Sequence, residues 1–506
     1  MRRWLGLSTS VLAAMAMLAA ATDAGAETFD LELKRIESPT SSPTSVSPLD
    51  YMFRATSSQH FYLQVGQGPN FSSRSGEARF SKAVKKQPAK YASKNPFRGV
   101  AKLGTQQFGF VLDAVPDEKK DEKKKDEAKK PNAKSKAPEL QVYNRLYFDL
   151  NHNGDLTDDE VVKANDAQGR IYTSSSYSYG QFSFPRVDLT VDADGTKVEY
   201  AFLFSGYVQA QENYQYATAS LNSAAYREGE MTLDGKKRRV VLVDYNSNAR
   251  FDDKATVTTV HTSDGEATYA IPGDMIYVDP DPSGGSYMYG YDATTNDDQQ
   301  YVAELVDIDG KFYELDLTAA GDKITLSAST APVGYVKNPS KGYRAMVFSD
   351  KRVLKISWNE SGKTPLPVGD WKLASYTIDG TGQENTAKAD KEEPSLLNML
   401  ANAITGSRAV AGPRFSMVSA RAPGDYAAVK VREGETVDMP FGPPYKPVVT
   451  ASGQGGETVS LSMSLVGAAG ESCSNLMVNG SRPADPRFTI TTPDGTEVQT
   501  GKFEYG

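Results

Sequence analysis

Cysteine and histidine are scarce in this chain of 506 residues, which has one cysteine and three histidines. A single cysteine cannot form an intrachain disulfide, so the fold must depend on its hydrophobic core and on any metal that it binds. Cys473 lies in "GESCSN" with no histidine nearby, and we interpret it as a small buried residue or a tolerated thiol. Three histidines leave little room for zinc sites or histidine-based acid–base catalysis.

Long apolar runs and catalytic fingerprints are also missing. Beyond the N-terminus no stretch reaches 18 consecutive apolar residues, which predicts no membrane span in the mature chain. No G-x-S-x-G, H-E-x-x-H, P-loop or Rossmann fingerprint occurs. The sequence therefore favours a binding or structural role over an enzyme. A hydrolase that uses two carboxylates stays open as an alternative, because such a pair can be distant in sequence.

The N-terminus has the pattern of a secretory signal peptide. Arg2 and Arg3 precede an apolar run from Trp4 to Ala21, and Ala24-Gly25-Ala26 fits a small-residue cleavage site. We interpret residues 1–26 as a cleaved signal, with an N-terminal membrane anchor as the alternative. The signal predicts a secreted protein or one of the periplasm or cell envelope.

Charge and composition narrow the class of protein further. The formal net charge is −8, which argues against nucleic acid as a partner and suits divalent cations. Tyrosine (27), glycine (42) and proline (27) are abundant, and segments rich in Tyr, Thr and Val alternate with turn residues. The length exceeds that of a single core, so we expect a mainly β, multidomain protein.

The pattern of strands, turns and polar stretches divides the chain into regions. The predicted regions are a signal peptide (1–26), an N-terminal β-rich region (27–115), a charged low-complexity loop (116–138), a β-rich domain with acidic loops (139–330), further strands (331–378), a polar linker with a short helix (379–411) and a C-terminal β-sandwich (412–506). The strand spacing in the last region suggests an immunoglobulin-like or transthyretin-like module.

Turn signals predict two hairpins within the β-rich domain. Asp194-Gly195 separates the strand-like runs "VDLTV" and "VEYAFLF". The segment from Asp307 to Gly310, which reads "DIDG", also has the form of a turn between strands. Neither is expected to bind metal.

One stretch, "YFDLNHNGDLTDDEVV" (147–162), carries a specific chemical pattern. Oxygen-bearing side chains alternate in residues 149–160, which we call the first acidic loop, and Gly154 lies where a tight turn would fold them inwards. Ca²⁺ takes six to eight oxygen ligands, and a loop with this alternation can supply them. The predicted ligands are Asp149, Asn151, Asn153, Asp155 through its carbonyl, Thr157 and Glu160.

The first acidic loop resembles the twelve-residue EF-hand calcium loop, including the loops of bacterial dockerin-type modules. The resemblance implies Ca²⁺ as the cofactor. It covers about twelve residues, and the flanks depart from it: "VYNRLYFDL" predicts a strand where an EF-hand has a helix. Calcium is therefore expected to hold loops in place and not to drive the opening motion of sensor proteins.

Residues 244–255, the second acidic loop, repeat part of this pattern 95 positions later. The weaker set of candidate ligands is Asp244, Asn246, Asn248, Arg250 and Asp252, with Asp253 as an alternative to Asp252. Ala249 replaces the turn glycine, and Ala255 replaces the final glutamate. The spacing leaves open an internal duplication and leaves metal binding here undecided.

Tyrosines crowd residues 171–184 and 287–291. Such rings can stack on sugars, but at alternating positions they are also ordinary strand surface, which is the interpretation that we favour. We expect an exported calcium-binding protein with a structural or ligand-binding role, and calcium, with a glycan or envelope component, as its partners. The whole chain resembles exported bacterial proteins that combine acidic loops with small β-domains. The alternative is an extracellular glycan-active hydrolase or a carbohydrate-binding protein.

Overall fold

The structure is a computed structural model. It describes residues 26–36, 53, 57–65, 71–72, 76–116, 140–165, 172–173, 177–211, 214–262, 265–280, 294, 296–380, 416–453, 459–478 and 481–505. Four predicted features lie wholly or almost wholly outside these residues: the linker helix, the tyrosines of 287–291, the signal peptide and the charged loop. The fold is mainly β, as predicted, with one helix among the described residues.

A four-stranded antiparallel sheet carries the first acidic loop. Its strands, in spatial order, are β4 (Phe97–Leu103), β5 (Gln106–Asp113), β6 (Arg145–Phe148) and β7 (Val162–Lys163). The helix α1 (Gly76–Ala83) packs beside β4 and β5.

A six-stranded sheet lies against this one. Its path runs through β3 (Gln59–Val65), β12 (Tyr214–Ser223), β11 (Thr196–Gln211), β9 (Tyr177–Ser183) and β8 (Tyr172–Thr173), and β10 (Val187–Ala193) also pairs with β11. Phenylalanines from both sheets fill the shared core: Phe108, Phe110, Phe148, Phe202 and Phe204 are fully buried.

Two further sheets and a hairpin complete this part of the molecule. A five-stranded sheet contains β18 (Gln299–Tyr301), β17 (Met275–Val278), β14 (Lys236–Val243), β13 (Ala225–Leu233) and β2 (Glu32–Arg35). A four-stranded sheet contains β1 (Glu27–Asp30), β21 (Lys323–Ala328), β20 (Lys311–Leu317) and β19 (Leu305–Ile308). The hairpin is β15 (Thr256–Thr262) and β16 (Gly265–Ile271).

The remaining strands form a second unit around its own core. The larger sheet contains β24 (Val353–Ser357), β23 (Tyr343–Phe348), β26 (Gly369–Asp379), β27 (Met417–Arg421), β32 (Ser472–Met477), β31 (Ser460–Val466) and β30 (Lys446–Ser452), with β28 (Val429–Val431) paired to β26. The smaller sheet contains β25 (Thr364–Pro367), β22 (Val333–Lys337) and β29 (Thr436–Asp438). A last hairpin joins β33 (Arg487–Thr491) to β34 (Glu497–Lys502).

Strand pairing crosses the region boundaries that the sequence suggests. β1 pairs with β21, and β3 pairs with β12, so the N-terminal region is built into the sheets of residues 139–330. β26 pairs with β27, which puts residues 331–378 and the C-terminal region in one sheet. These partners are far apart along the chain, and strand periodicity alone does not reveal them.

The predicted hairpin turns are confirmed. β10 and β11 are joined at Asp194-Gly195 and β19 and β20 at Asp309-Gly310, with both residues of each pair at positive φ. This is the backbone of a two-residue type I′ turn, which Asp-Gly adopts readily.

Candidate metal centre

The first acidic loop begins where β6 ends, so a strand delivers it as the sequence predicts. Asp149 is only 1% exposed. Its carboxylate accepts the backbone N–H of Asn153 at 3.0 Å and that of Gly154 at 3.1 Å. Burial raises the pKa of Asp149, and these two N–H groups act against the rise. The loop is therefore wound around a buried carboxylate.

The turn of the loop depends on two left-handed residues. His152 has φ 57° and Gly154 has φ 82°. A Cβ on Gly154 would lie 3.0 Å from the Ala83 carbonyl oxygen, so both the φ and the space favour glycine. The tight turn brings the side chains at alternate positions to one side.

Asp158 is the carboxylate that faces the two asparagines of the loop. The Asn153 amide donates to Asp158 at 2.8 Å and the Asn151 amide at 3.5 Å. Two partial positive charges therefore stand beside this carboxylate. A bound divalent cation would attract the Asp158 carboxylate more strongly than these amide dipoles do, because it carries a full positive charge.

Asp159 contains an unsatisfied buried oxygen. Its carboxylate accepts the backbone N–H groups of Leu150 and Asn151, but Oδ2 is buried with no hydrogen-bond partner. Burial, followed by the negative charges of Asp149 and Asp158, raises the pKa of Asp159 to about 6. A buried acceptor without a donor beside two other carboxylates fits a place for a cation.

The other predicted ligands are placed differently. The Asp155 carboxylate accepts Lys86 Nζ at 2.7 Å and the Thr157 backbone N–H at 2.8 Å. These bonds, the one from Lys86 first, lower the pKa of Asp155 to about 2. Its side chain is thus engaged away from Asp149, while its carbonyl remains the predicted donor. Glu160 is exposed.

The loop fastens the segment that follows α1 onto the sheet. The Gly154 carbonyl accepts the N–H of Lys85 at 2.7 Å and that of Lys86 at 3.0 Å, and Leu156 N–H donates to the Lys86 carbonyl at 3.0 Å. Leu156 is buried in a small cluster with Phe80 of the helix. The loop therefore acts as a clip between β6 and the helix.

The second acidic loop repeats these hydrogen bonds after β14. Asp244 is fully buried and accepts the N–H of Asn248 at 3.2 Å and that of Ala249 at 2.8 Å. The amides of Asn246 and Asn248 donate to Asp253 at 2.8 and 2.6 Å. Asp253 thus matches Asp158, since each lies nine positions after the first aspartate.

The backbone repeats as well. Ser247 and Ala249 have φ 60° and 64°, at the positions of His152 and Gly154 in the first loop. Ala249 replaces the turn glycine, as the sequence shows, and the turn is formed with this alanine in the left-handed region. The two loops are therefore the same local structure with different degrees of strain.

Asp274 completes the second loop from outside it. Its carboxylate accepts the N–H of Tyr245 and that of Asp253, both at 2.9 Å. In the first loop Asp159 accepts the N–H of Leu150, which follows Asp149 as Tyr245 follows Asp244. Burial, and then the charges of Asp244 and Asp253, raise the pKa of Asp274 strongly. Asp244 also has a raised pKa because it is buried, although Tyr200 donates to it at 2.7 Å.

Two candidates of the second loop serve another purpose. The Arg250 guanidinium pairs with Asp252 at 2.8 Å and with Asp194 at 2.5 Å. Asp252 is thus neutralised by Arg250, and only the Arg250 carbonyl stays in the predicted set. Asp158 and Asp253 can be recognised in the sequence because each lies nine positions after the first aspartate of its loop. Asp274 has no such signal, because it lies 30 residues after Asp244.

No family model, curated protein or solved structure matches this chain.

Within the described part of the chain, no three or more Asp, Glu, His or Cys side chains form a group that could hold a metal by themselves. Calcium also accepts asparagine and carbonyl oxygens, which both loops contain. Across the same residues, no helix is long and apolar enough to cross a membrane.

Three surface cavities have volumes of about 410, 380 and 810 Å³, and Tyr245 of the second acidic loop lines the second of them. Glu27 and Asp234 line the first, and the other two have no Asp or Glu in their walls. The hydrogen bond from Lys311 lowers the pKa of Asp234, which keeps this carboxyl ionised.

Proposed function

We propose that the protein is exported and binds Ca²⁺ at the two acidic loops, where the ion stabilises loop structure and does not signal. The observation that carries the proposal is the common architecture of the loops. In each, a buried aspartate, two asparagines and an aspartate nine positions later are held together by the same hydrogen bonds. Such a set of oxygens suits a hard cation.

The donor set in the first loop differs in part from the sequence pattern. The proposed side-chain donors are Asp149, Asn151, Asn153, Asp158 and Asp159, with the carbonyl of Asp155. The buried, unpartnered Oδ2 of Asp159 supports this choice. Thr157 and Glu160 remain predictions from the EF-hand pattern.

The second loop would use Asp244, Asn246, Asn248, Asp253 and Asp274, with the carbonyl of Arg250. Calcium here must displace protons, because both buried aspartates have raised pKa values. The affinity of the second loop for calcium should therefore be lower, and more dependent on pH, than that of the first loop.

Export and the type of C-terminal fold belong to the same proposal. β1 begins at Glu27, directly after the proposed cleavage site, which supports a mature chain that starts there. N-terminal sequencing of the exported protein tests this. The core between the two C-terminal sheets, which buries Trp371, supports an immunoglobulin-like or transthyretin-like sandwich. An experimental structure that shows the strand order of the two sheets would test that assignment.

Thermal unfolding with and without calcium tests the calcium proposal. If the dissociation constant is on the order of 10⁻⁴–10⁻³ M, as in extracellular modules, about 10 mM Ca²⁺ should stabilise the fold by roughly 1.4–2.7 kcal/mol per site. Asp158→Asn should lose most of the calcium-dependent stabilisation that comes from the first loop. Asp350→Asn, an exposed aspartate between β23 and β24, is the matched control and should respond like the wild type. An equal melting temperature with and without calcium in the wild-type protein would refute the proposal.

A further inference from the structure

The outer surface formed by β3, β8, β9, β12 and residues 203–211 of β11, which we call the tyrosine face, has an unusual composition. In β11 the buried Phe204 and Val208 alternate with the partly exposed Tyr207 and Gln209, so the latter point away from the core. The same alternation identifies the outward residues of the neighbouring strands. They are His60, Tyr62, Tyr172, Tyr177, Tyr179, Gln181, Ser183, Leu203, Ser205, Tyr207, Gln209, Gln211, Tyr216, Thr218, Ser220 and Asn222.

The strand register arranges these residues in rows that cross the sheet from strand to strand. One cross-strand row runs Tyr62, Thr218, Tyr207, Gln181. The next row runs Tyr216, Gln209, Tyr179, Tyr172. In the first row an aromatic ring alternates with a hydrogen-bonding side chain, and in the second Gln209 separates Tyr216 from the neighbouring rings of Tyr179 and Tyr172.

The rings form a continuous series. Contacts between ring centroids link Tyr172 to Tyr177 (6.4 Å), Tyr177 to Tyr179 (6.4 Å), Tyr179 to Tyr207 (5.4 Å) and Tyr207 to Tyr216 (5.8 Å). At the two ends of the face, Tyr62 is 61% exposed and Tyr172 is 63% exposed. A contiguous patch of exposed apolar surface with polar side chains beside it is typical of an interaction site.

The tyrosine face carries no formal charge. Among the outward residues named above there is no Asp, Glu, Lys or Arg, and His60 is the one basic side chain, whereas 24% of the whole sequence is charged. The exposed Asp188, Lys197 and Glu199 lie on the same side of the sheet but outside the tyrosine face, on β10 and the first residues of β11. A chain with a net charge of −8 that offers no cation here would not attract an acidic polymer. The charge pattern therefore fits a neutral partner.

We propose that the tyrosine face binds a neutral polysaccharide in an extended, ribbon-like form, such as a β-1,4-linked glucan or xylan. Flat sugar rings with equatorial substituents present C–H groups to the π-faces of the tyrosines. The amides and hydroxyls between the rings match the sugar hydroxyls. The four steps from β3 to β8 span about 19 Å, which accommodates several sugar units.

This inference goes beyond calcium binding and does not depend on it. The tyrosine face is built by β3, β8, β9, β11 and β12, none of which contains a residue of either acidic loop. The glycan experiment is done in the presence of calcium, so that its failure and a failure of the calcium proposal can be told apart.

Affinity electrophoresis of the mature full-length protein tests the proposal. The probes are hydroxyethyl cellulose and xylan as neutral glycans and polygalacturonate as an acidic one. We expect the neutral glycans to retard the wild-type protein and polygalacturonate to leave it unaffected. Tyr179→Ala, and the double variant Tyr62→Ala with Tyr172→Ala, should each weaken binding at least about tenfold.

Tyr505→Ala is the matched control, because Tyr505 is 42% exposed and lies outside the tyrosine face. It should bind like the wild type, and all variants should keep the wild-type melting temperature within a few degrees. The exposed positions Tyr62 and Tyr172 keep the test valid if Tyr179→Ala fails to fold. The proposal is overturned if the wild type binds neither neutral glycan, or if the double variant binds as well as the wild type. A dimer that the double variant dissociates, with no glycan binding, would instead assign the tyrosine face to a second copy of the chain.

Discussion

Gly154 and Ala249 hold the same left-handed position in the two acidic loops, and Gly154 lies against the segment that follows α1. Gly154→Ala should destabilise the protein by about 1–2 kcal/mol from strain alone, and more because the new methyl group would press on Ala83 and Lys85. Gly195→Ala is the matched control: its φ is 85°, yet nothing lies within 4 Å of the added Cβ. Urea unfolding should show a larger loss for Gly154→Ala. Equal losses would mean that the contact with the helix segment does not matter.

The calcium-free protein should lose stability as the pH rises towards neutrality. Burial raises the pKa of Asp159 to about 6 and also raises those of Asp244 and Asp274. For a carboxyl group with a raised folded pKa, the stability is fully present below the unfolded value of about 4 and is lost as the pH passes the folded value. Melting temperatures in a chelator should therefore fall between about pH 4.5 and pH 7.5.

Saturating calcium should reverse most of this fall, since the cation replaces the protons. Asp159→Asn should make the fall in the chelator profile shallower, because one of the three titrating groups is gone. A melting temperature that rises with pH in the absence of calcium would contradict the assignment of these groups.

At the level of single residues, the sequence indicates which residues within a loop lie together but not which remote residues join them. The alternating Asp149, Asn151 and Asn153 do lie together, because their spacing is local. Asp274 could not be predicted, because its place beside Asp244 arises from the pairing of β14 with β17. The engagement of the Asp155 carboxylate likewise depends on Lys86, which is distant in sequence.

At the level of elements, each acidic loop connects a strand to segments that are remote in the chain. The first loop fastens the turn after α1 to β6, and the second accepts the N–H of Gly104 at 2.6 Å through Asn248 and that of Ser57 at 3.1 Å through Tyr245. The loops therefore connect remote segments, as disulfides do in many extracellular proteins.

Removal of calcium should loosen the elements that the loops hold. Amide hydrogen exchange should become faster at Lys85, Lys86 and Leu156, whose N–H groups bond across the clip. The amides of β26 and β27 lie in the second unit and serve as the internal control. Exchange that is unchanged at the first three positions would show that the metal does not secure the helix.

Elements were predicted best where the signal is local. The Asp-Gly hairpins and the strand before each acidic loop follow from turn chemistry and from β-branched and aromatic residues. The tyrosines of 171–184 were interpreted as ordinary strand surface. Their series with Tyr207 and Tyr216 appears only once β9 and β12 lie on either side of β11.

At the level of the whole molecule, long-range strand pairing decides the architecture. Glu27 pairs with Leu326, almost 300 residues away, and such contacts leave no mark on hydrophobic periodicity. This explains why the mainly β class was predictable and the arrangement of sheets was not. It also places both acidic loops in the first unit, with its large aromatic core.

The number of calcium ions bound per chain tests the central claim most directly. Calorimetric titration at about pH 7.5 should show two sites in the wild type, the first loop binding more tightly. Asp158→Asn and Asp253→Asn should each weaken one site at least about tenfold, since even groups that only support a ligand cost 10–100-fold when mutated. Asp350→Asn should retain both sites. No calcium binding in the wild type, or two unaltered sites in Asp158→Asn, would contradict the account.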